Sequence, residues 1–175
     1  GAILGTCNFQ GATLISADLY YADLRIADLQ GANLADANLQ RANLYNANFR
    51  NASLVGASLV HASFNNLGGQ IFAGADLSGA DFGEEAHLWF ADFTGAVLDA
   101  TNLDLANLRE ADFSGASCRD AYLEEADLEG ANFSGADLTG AILISTRFTI
   151  ANLSGANLTG ADLMYADLRG TNIDN

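Results

Sequence analysis

The chain has no proline and no lysine, and among its 175 residues there are two cysteines, two histidines, one tryptophan and one methionine. All positive charge therefore rests on seven arginines, and 22 acidic residues bring the net charge to -15. An excess of that size favours solubility and opposes non-specific binding to nucleic acid, so no directly bound nucleic acid is expected. Cys7 and Cys118 lie too far apart in sequence to form a disulfide framework, and both read as small core residues. No apolar run approaches the ~18 residues of a membrane span, which removes the bilayer as a partner.

Chemistry-bearing motifs are equally scarce. His61 and His87 have no second His or Cys nearby to complete a metal site. The glycines are spaced by fives and form no phosphate-cradling motif. No compact loop offers the six or more oxygens that calcium takes. The reading is of no catalytic residue, no cofactor and no metal: a chain that is not an enzyme. No signal peptide is visible, which points to the cytoplasm, although the chain begins at Gly1 rather than Met and a removed leader stays open.

What the sequence does have is repetition. In "ADLQGANLADANLQRANL" (27–44) a small apolar residue, a polar one and a large apolar one recur every five residues. The large apolar centres run from Leu4 to Phe64 in unbroken fives. They resume at Phe72, Leu77 and Phe82, then continue from Leu88 to Ile173, with Cys118 filling one centre. That makes 34 repeats, and the residue two before the centre is Ala in all but Cys7, Gln70, Thr101, Thr146 and Thr171.

A helix advances about 100° per residue and would smear a five-residue period around its surface. A flat strand would send successive centres to opposite faces. Within one repeat, however, Ala and the centre are two apart and share a strand face. The next Ala is three further on, so the chain must turn a corner to bring it back inside. One short side and one corner per repeat describe a solenoid whose coils bury their apolar residues only by stacking. Glycine often precedes Ala, as at Gly31, Gly95 and Gly115, which suits a tight corner.

These repeats, with "ANFSGADLTGA" and "ANLSGANLTGADL", resemble the pentapeptide-repeat family and its A-[DN]-L-x-x motif. The resemblance implies a right-handed quadrilateral parallel β-helix, all-β, with 20 residues per coil. About 8.5 coils at the ~4.8 Å spacing of paired strands would give roughly 40 Å of length. Phe93, Phe113 and Phe133 fall 20 apart, as a ladder on one side would require, and Phe9, Phe49 and Phe72 join them if the irregularities bulge outward. Those irregularities are an insertion near 65–71 and a one-residue insertion near 83–86. Residues 1–175 are accordingly expected to form one continuous domain. No amphipathic capping helix is visible, so both terminal coils should expose apolar edges, which end-to-end stacking or a homodimer would cover.

Charge is uneven along this rod: residues 1–64 carry a net -1, and the remainder -14. The zone from Asp76 to Asp137 alone holds 15 acids against Arg109 and Arg119. Over roughly 15 Å that density is comparable with duplex DNA, which carries about nine charges in the same length. Glu84, Glu85, Asp104, Glu124 and Glu125 are expected to line up as a ridge on one corner. Trp89 and Phe90 are the most apolar outward pair, either covered by the insertion around Leu67 or exposed to a protein partner. The family resemblance implies partners too, since some members bind the topoisomerase DNA gyrase. The sequence supports a non-enzymatic, protein-binding rod with an acidic surface; its alternative is a DNA mimic directed at gyrase or another DNA-binding protein.

Overall fold

The computed structural model describes residues 1–64, 72–83 and 86–174. Among them there is no helix, and the backbone is a succession of single parallel bridges separated by turns. Asp23 pairs with Asn43, Asp28 with Asn48, Asn33 with Ser53 and Asn38 with Ser58, each partner 20 residues on. Four bridging positions per 20 residues mean four sides, here numbered from the side of Asp23 (side 1) through Asp28 (side 2), Asn33 (side 3) and Asn38 (side 4). Across the first insertion the step lengthens to 23, as in Ser53 to Asp76 and Ser58 to Asp81. Across the second it is 21, as in Asp76 to Val97 and Asp81 to Asn102, and it then returns to 20. The extra residues therefore leave the register intact on sides 3 and 4.

The corner geometry explains why a repeat of five works. After each centre the chain makes a tight turn closed by a bond between the Ala N–H and the carbonyl of the preceding centre, for example Ala27 to Leu24 at 3.0 Å. The residue just before that Ala has positive φ, the third position of a type II turn. Glycine fills many of these positions, but Ile26, Phe90, Ala100, Leu105 and Ile150 also adopt φ of 53° to 61°. An L-residue there costs about 1–2 kcal/mol, which the two bridged neighbouring coils must offset. Ala100→Gly should consequently stabilise the fold by about 0.5–1 kcal/mol net of the glycine's extra unfolded-state freedom, raising Tm by about 2 °C in a thermal melt.

The outward Asn or Asp of each repeat does structural work that its polarity alone did not announce. Its Oδ1 accepts the backbone N–H two residues later, as from Ser114 to Asp112 at 2.8 Å and from Ser154 to Asn152 at 3.1 Å. Asparagine amides also donate down the rod, from Asn132 to Asp112 and from Asn152 to Asn132. Asp112, Asn132 and Asn152 each thus satisfy a turn amide and link two coils.

Inside, the described Ala and Leu or Phe positions from Ala22 to Leu153 are almost wholly closed to solvent, except the half-buried Ala62. Phe49, Phe72, Phe93, Phe113 and Phe133 form a continuous stack on side 2, with ring centroids 4.4 to 5.2 Å apart and planes within 13° of parallel. Thr101 and Thr146 replace Ala without leaving a buried hydroxyl unpaired: Thr101 donates to the Leu77 carbonyl and Thr146 to that of Leu143. Cys118 is buried at a centre, where burial pushes its thiol up, and Cys7 is only half-buried. Burial declines in the outermost coils, where Leu168 and Ile173 are exposed.

Candidate interaction surface

A filled core leaves recognition to the outward positions and the corners. The corner that follows side 4 carries Asp104 and Leu105 in one coil, with Glu124 and Glu125 in the next. Backbone bonds hold the two coils in step: Leu105 donates to the Glu124 carbonyl at 2.8 Å, and the Glu124 amide donates to the Asp104 carboxylate, also at 2.8 Å. The four residues line a shallow cavity of about 190 Å³. Glu84 and Glu85, expected to extend this ridge, lie outside the described residues.

Trp89 and Phe90 occupy a different corner, the one that follows side 1. They are 40% and 55% exposed, and Phe90 donates its amide to the Arg109 carbonyl in the next coil. The insertion that the sequence offered as a cover, 65–71, lies outside the described residues. The expected surface therefore divides into an acidic corner and an aromatic corner, separated by side 1 with His87 and Asn107 on its face. His61 lies on the acidic corner, in an earlier coil. Among the described residues, no group of three or more His, Cys, Asp and Glu is placed to hold a metal ion.

The arginines distinguish structural acids from available ones. Arg109 and Arg147 both engage Asp127 and Glu129 on side 1 and its following corner. Arg119 holds Asp99 at 2.5 Å, and Arg50 approaches Asp92 at 3.8 Å. Arg169 grips Asp167 at 2.6 Å. Asp104, Glu124 and Glu125 form no ion pair among the described residues. The sequence could count the acids in this zone but not divide them in this way, because the pairing depends on which coil lies above which.

Two of the paired acids also set a pH dependence. Burial raises the Asp99 carboxyl, but hydrogen bonds from the Arg119 guanidinium, the Ser117 hydroxyl and the Arg119 amide outweigh it, and the net direction is down. Hydrogen bonds from the Arg169 side chain and amide pull Asp167 down to about 2. A carboxyl lowered in the folded state contributes stability that is complete above its unfolded value of 3.8 and is lost as pH falls through the folded value. Urea midpoints should thus hold steady from pH 7 to about 5 and fall below pH 3.8. Asp99→Asn should make that fall shallower, a difference read from parallel urea titrations.

A stack of four-sided coils around a closed apolar core defines a solenoid of the parallel β-helical class. The sequence profile described as pentapeptide repeats matches it in eight copies, over residues 1–31, 27–66, 84–117, 116–149 and 145–175, and the chain belongs to the pentapeptide-repeat family. Among solved structures it is similar to Rfr23, a pentapeptide repeat protein from the cyanobacterium Cyanothece 51142, with 32% identity over 54% of this chain and a TM-score of 0.51; it spans 64% of that chain. It is 30% identical to HetL, a pentapeptide repeat protein involved in heterocyst differentiation regulation in Nostoc sp. strain PCC 7120, covering 97% of this chain and 88% of that one at a TM-score of 0.38. QnrB1, a plasmid-mediated fluoroquinolone resistance protein, shares the fold at 20% identity and a TM-score of 0.61, over 97% of this chain and 83% of that one. No curated protein sequence matches the chain.

Proposed function

We propose that the chain is a non-enzymatic interaction rod: residues 1–175 wind as one right-handed, four-sided β-helix of about 8.5 coils and present an acidic surface to a protein partner. The observation that carries this reading is the contrast on the acidic zone. Most of its repeat-position acids are occupied with turn amides or arginines, whereas Asp104, Glu124 and Glu125 stand together on one corner with no ion pair among the described residues, Asp104 alone accepting a backbone amide. Carboxylates in that state steer and select a cationic partner at little cost to the fold.

The test is a pull-down from the native host with the parent chain and a Glu124→Arg/Glu125→Arg variant. The reading predicts a captured protein that the variant loses while its Tm stays within a degree or two of the parent. If the parent retains nothing, or the variant captures the same protein, the acidic corner is not a recognition surface.

A second reading is a DNA mimic acting on gyrase or another topoisomerase, supported by the charge density of the zone from Asp76 to Asp137. The chain also shares its fold with QnrB1, a plasmid-mediated fluoroquinolone resistance protein. Addition of micromolar rod to purified gyrase should then change its supercoiling rate, and an unchanged rate would reject this reading. Homodimers or end-to-end stacks would be visible in sedimentation velocity, and the cytoplasm is the proposed compartment.

A further inference from the structure

Beyond the acidic corner, the same edge of the rod turns apolar. Ile144 and Met164 follow Glu124 up the corner, coil by coil, because Glu125 donates to the Ile144 carbonyl and Ser145 to that of Met164. On the adjoining face of side 4, Tyr122 pairs with Ile142 in a parallel bridge. Tyr122 and Met164 are exposed by 45% and 50%, and Ile142 and Ile144 are half-buried. The other outward positions on side 4 are polar: Asp18, Asn38, Ser58, Asp81, Asn102 and Asp162, the last bridged to Ile142 with its carboxylate turned to the Met164 amide. Tyr122 and Ile142 stand at face positions that side 4 otherwise fills with polar residues, and with Ile144 and Met164 on the adjoining corner they form a patch of the kind that marks a protein contact.

We propose that this strip docks an amphipathic helix of a partner protein, with the partner's Lys or Arg residues over Asp104, Glu124 and Glu125 and its apolar face on Ile142, Ile144 and Met164. Charge complementarity sets the chemistry of the occupant, because three carboxylates with no ion pair among the described residues stand together at the near end of the strip. Spacing favours a helix, since coils recur at about 4.8 Å and helical turns at about 5.4 Å, so side chains four apart meet successive coils. The exposed Leu105 beneath the carboxylates gives the methylene stem of a basic side chain an apolar floor. The inference rests on the proposed interaction function and specifies its partner.

The probe is a fluorescein-labelled synthetic helical peptide with a leucine face and lysines in its first turn, alongside a twin with glutamate in place of lysine. Anisotropy titrations use the full chain at 150 mM salt. The proposal predicts saturable binding of the lysine peptide and none of the twin. It predicts roughly tenfold weaker binding with Ile144→Ser, with Tyr122→Ser and with Glu124→Gln/Glu125→Gln, and no change with Trp89→Ser/Phe90→Ser. Unaltered urea midpoints in these variants establish that the fold is intact, and Tyr122→Ser serves if Ile144→Ser does not fold. Binding that ignores Ile144→Ser and Tyr122→Ser would be general attraction to an acidic rod and would overturn the proposal. So would a rod that self-associates through this face and becomes monomeric with either variant, since a second copy would then be the occupant. Peptide failure alongside a ridge-dependent partner in the pull-down sinks only this inference; failure of both sinks the functional reading as well.

Discussion

Leu123→Asp should abolish the folded middle of the rod. Leu123 is wholly closed to solvent, and the chain continues as bridged coils on both sides of it. Losing the leucine forfeits about 1.5–3 kcal/mol of apolar burial, and placing a carboxylate there adds a desolvation cost with no arginine within the core to answer it. The sum exceeds the roughly 4–5 kcal/mol that marks an exceptional substitution, against a typical total stability of about 5–15 kcal/mol. Because each coil rests on its neighbours, damage should spread to the coils above and below before it reaches the ends. Hydrogen exchange read by mass spectrometry should show protection lost from about residue 103 to residue 143. Leu123→Ile should retain protection throughout.

Phe113→Ala is the second large effect. The Phe113 ring lies between those of Phe93 and Phe133 at 4.8 and 4.4 Å, nearly parallel to both. Truncation removes a buried ring and leaves a gap that fixed backbone bridges on either side cannot close, so the expected loss is about 3–5 kcal/mol. Phe113→Leu, the residue that fills most other centres, should lose much less. Urea unfolding of the two variants separates cavity formation from the loss of aromatic stacking. If both variants fell equally, the stack itself would be the stabilising element, beyond the area it buries.

The fold was legible because its information is redundant. A five-residue period with Ala two before each centre leaves few backbones that bury both, and the Phe spacing of 20 placed Phe93, Phe113 and Phe133 in one stack. Across the two breaks in the period the bridges stay in register, stepping 23 residues from Ser53 to Asp76 and 21 from Asp76 to Val97. The corner conformation was only half legible. Glycine advertises positive φ, but Ile26, Leu105 and Ile150 adopt it because the coils on either side over-determine it, and no local propensity predicts that.

The candidate surface was harder to read. Trp89 and Phe90 stood out as aromatic residues at outward positions, and the structure leaves both exposed. Their separation from the acids onto another corner follows from the coil register. The division of acids into paired and unpaired follows from where Arg109, Arg119 and Arg147 reach, which is a matter of three-dimensional neighbours 18 to 20 residues apart. The grouping of Met164, itself readable with Tyr165 as an outward apolar pair, with Tyr122, Ile142 and Ile144 escaped the sequence reading for the same reason: these residues are dispersed in sequence and adjacent only once 20-residue coils stack. Searching each outward position at a 20-residue step would have found it.

The central claim is that residues 20 apart are neighbours on the outside of the rod, and double-cysteine trapping tests it most directly. Asp112 and Asn132 are bridged in parallel on neighbouring coils, so their Cα atoms lie about 4.8 Å apart, within the range a disulfide spans. In a Cys7→Ser background, Asp112→Cys/Asn132→Cys should crosslink nearly completely under mild oxidation. Asp112→Cys/Asp127→Cys, 15 residues apart and on different sides, should stay reduced. Efficient bridging of the 15-residue pair, or none of the 20-residue pair, would contradict the coil and every surface assignment built on it.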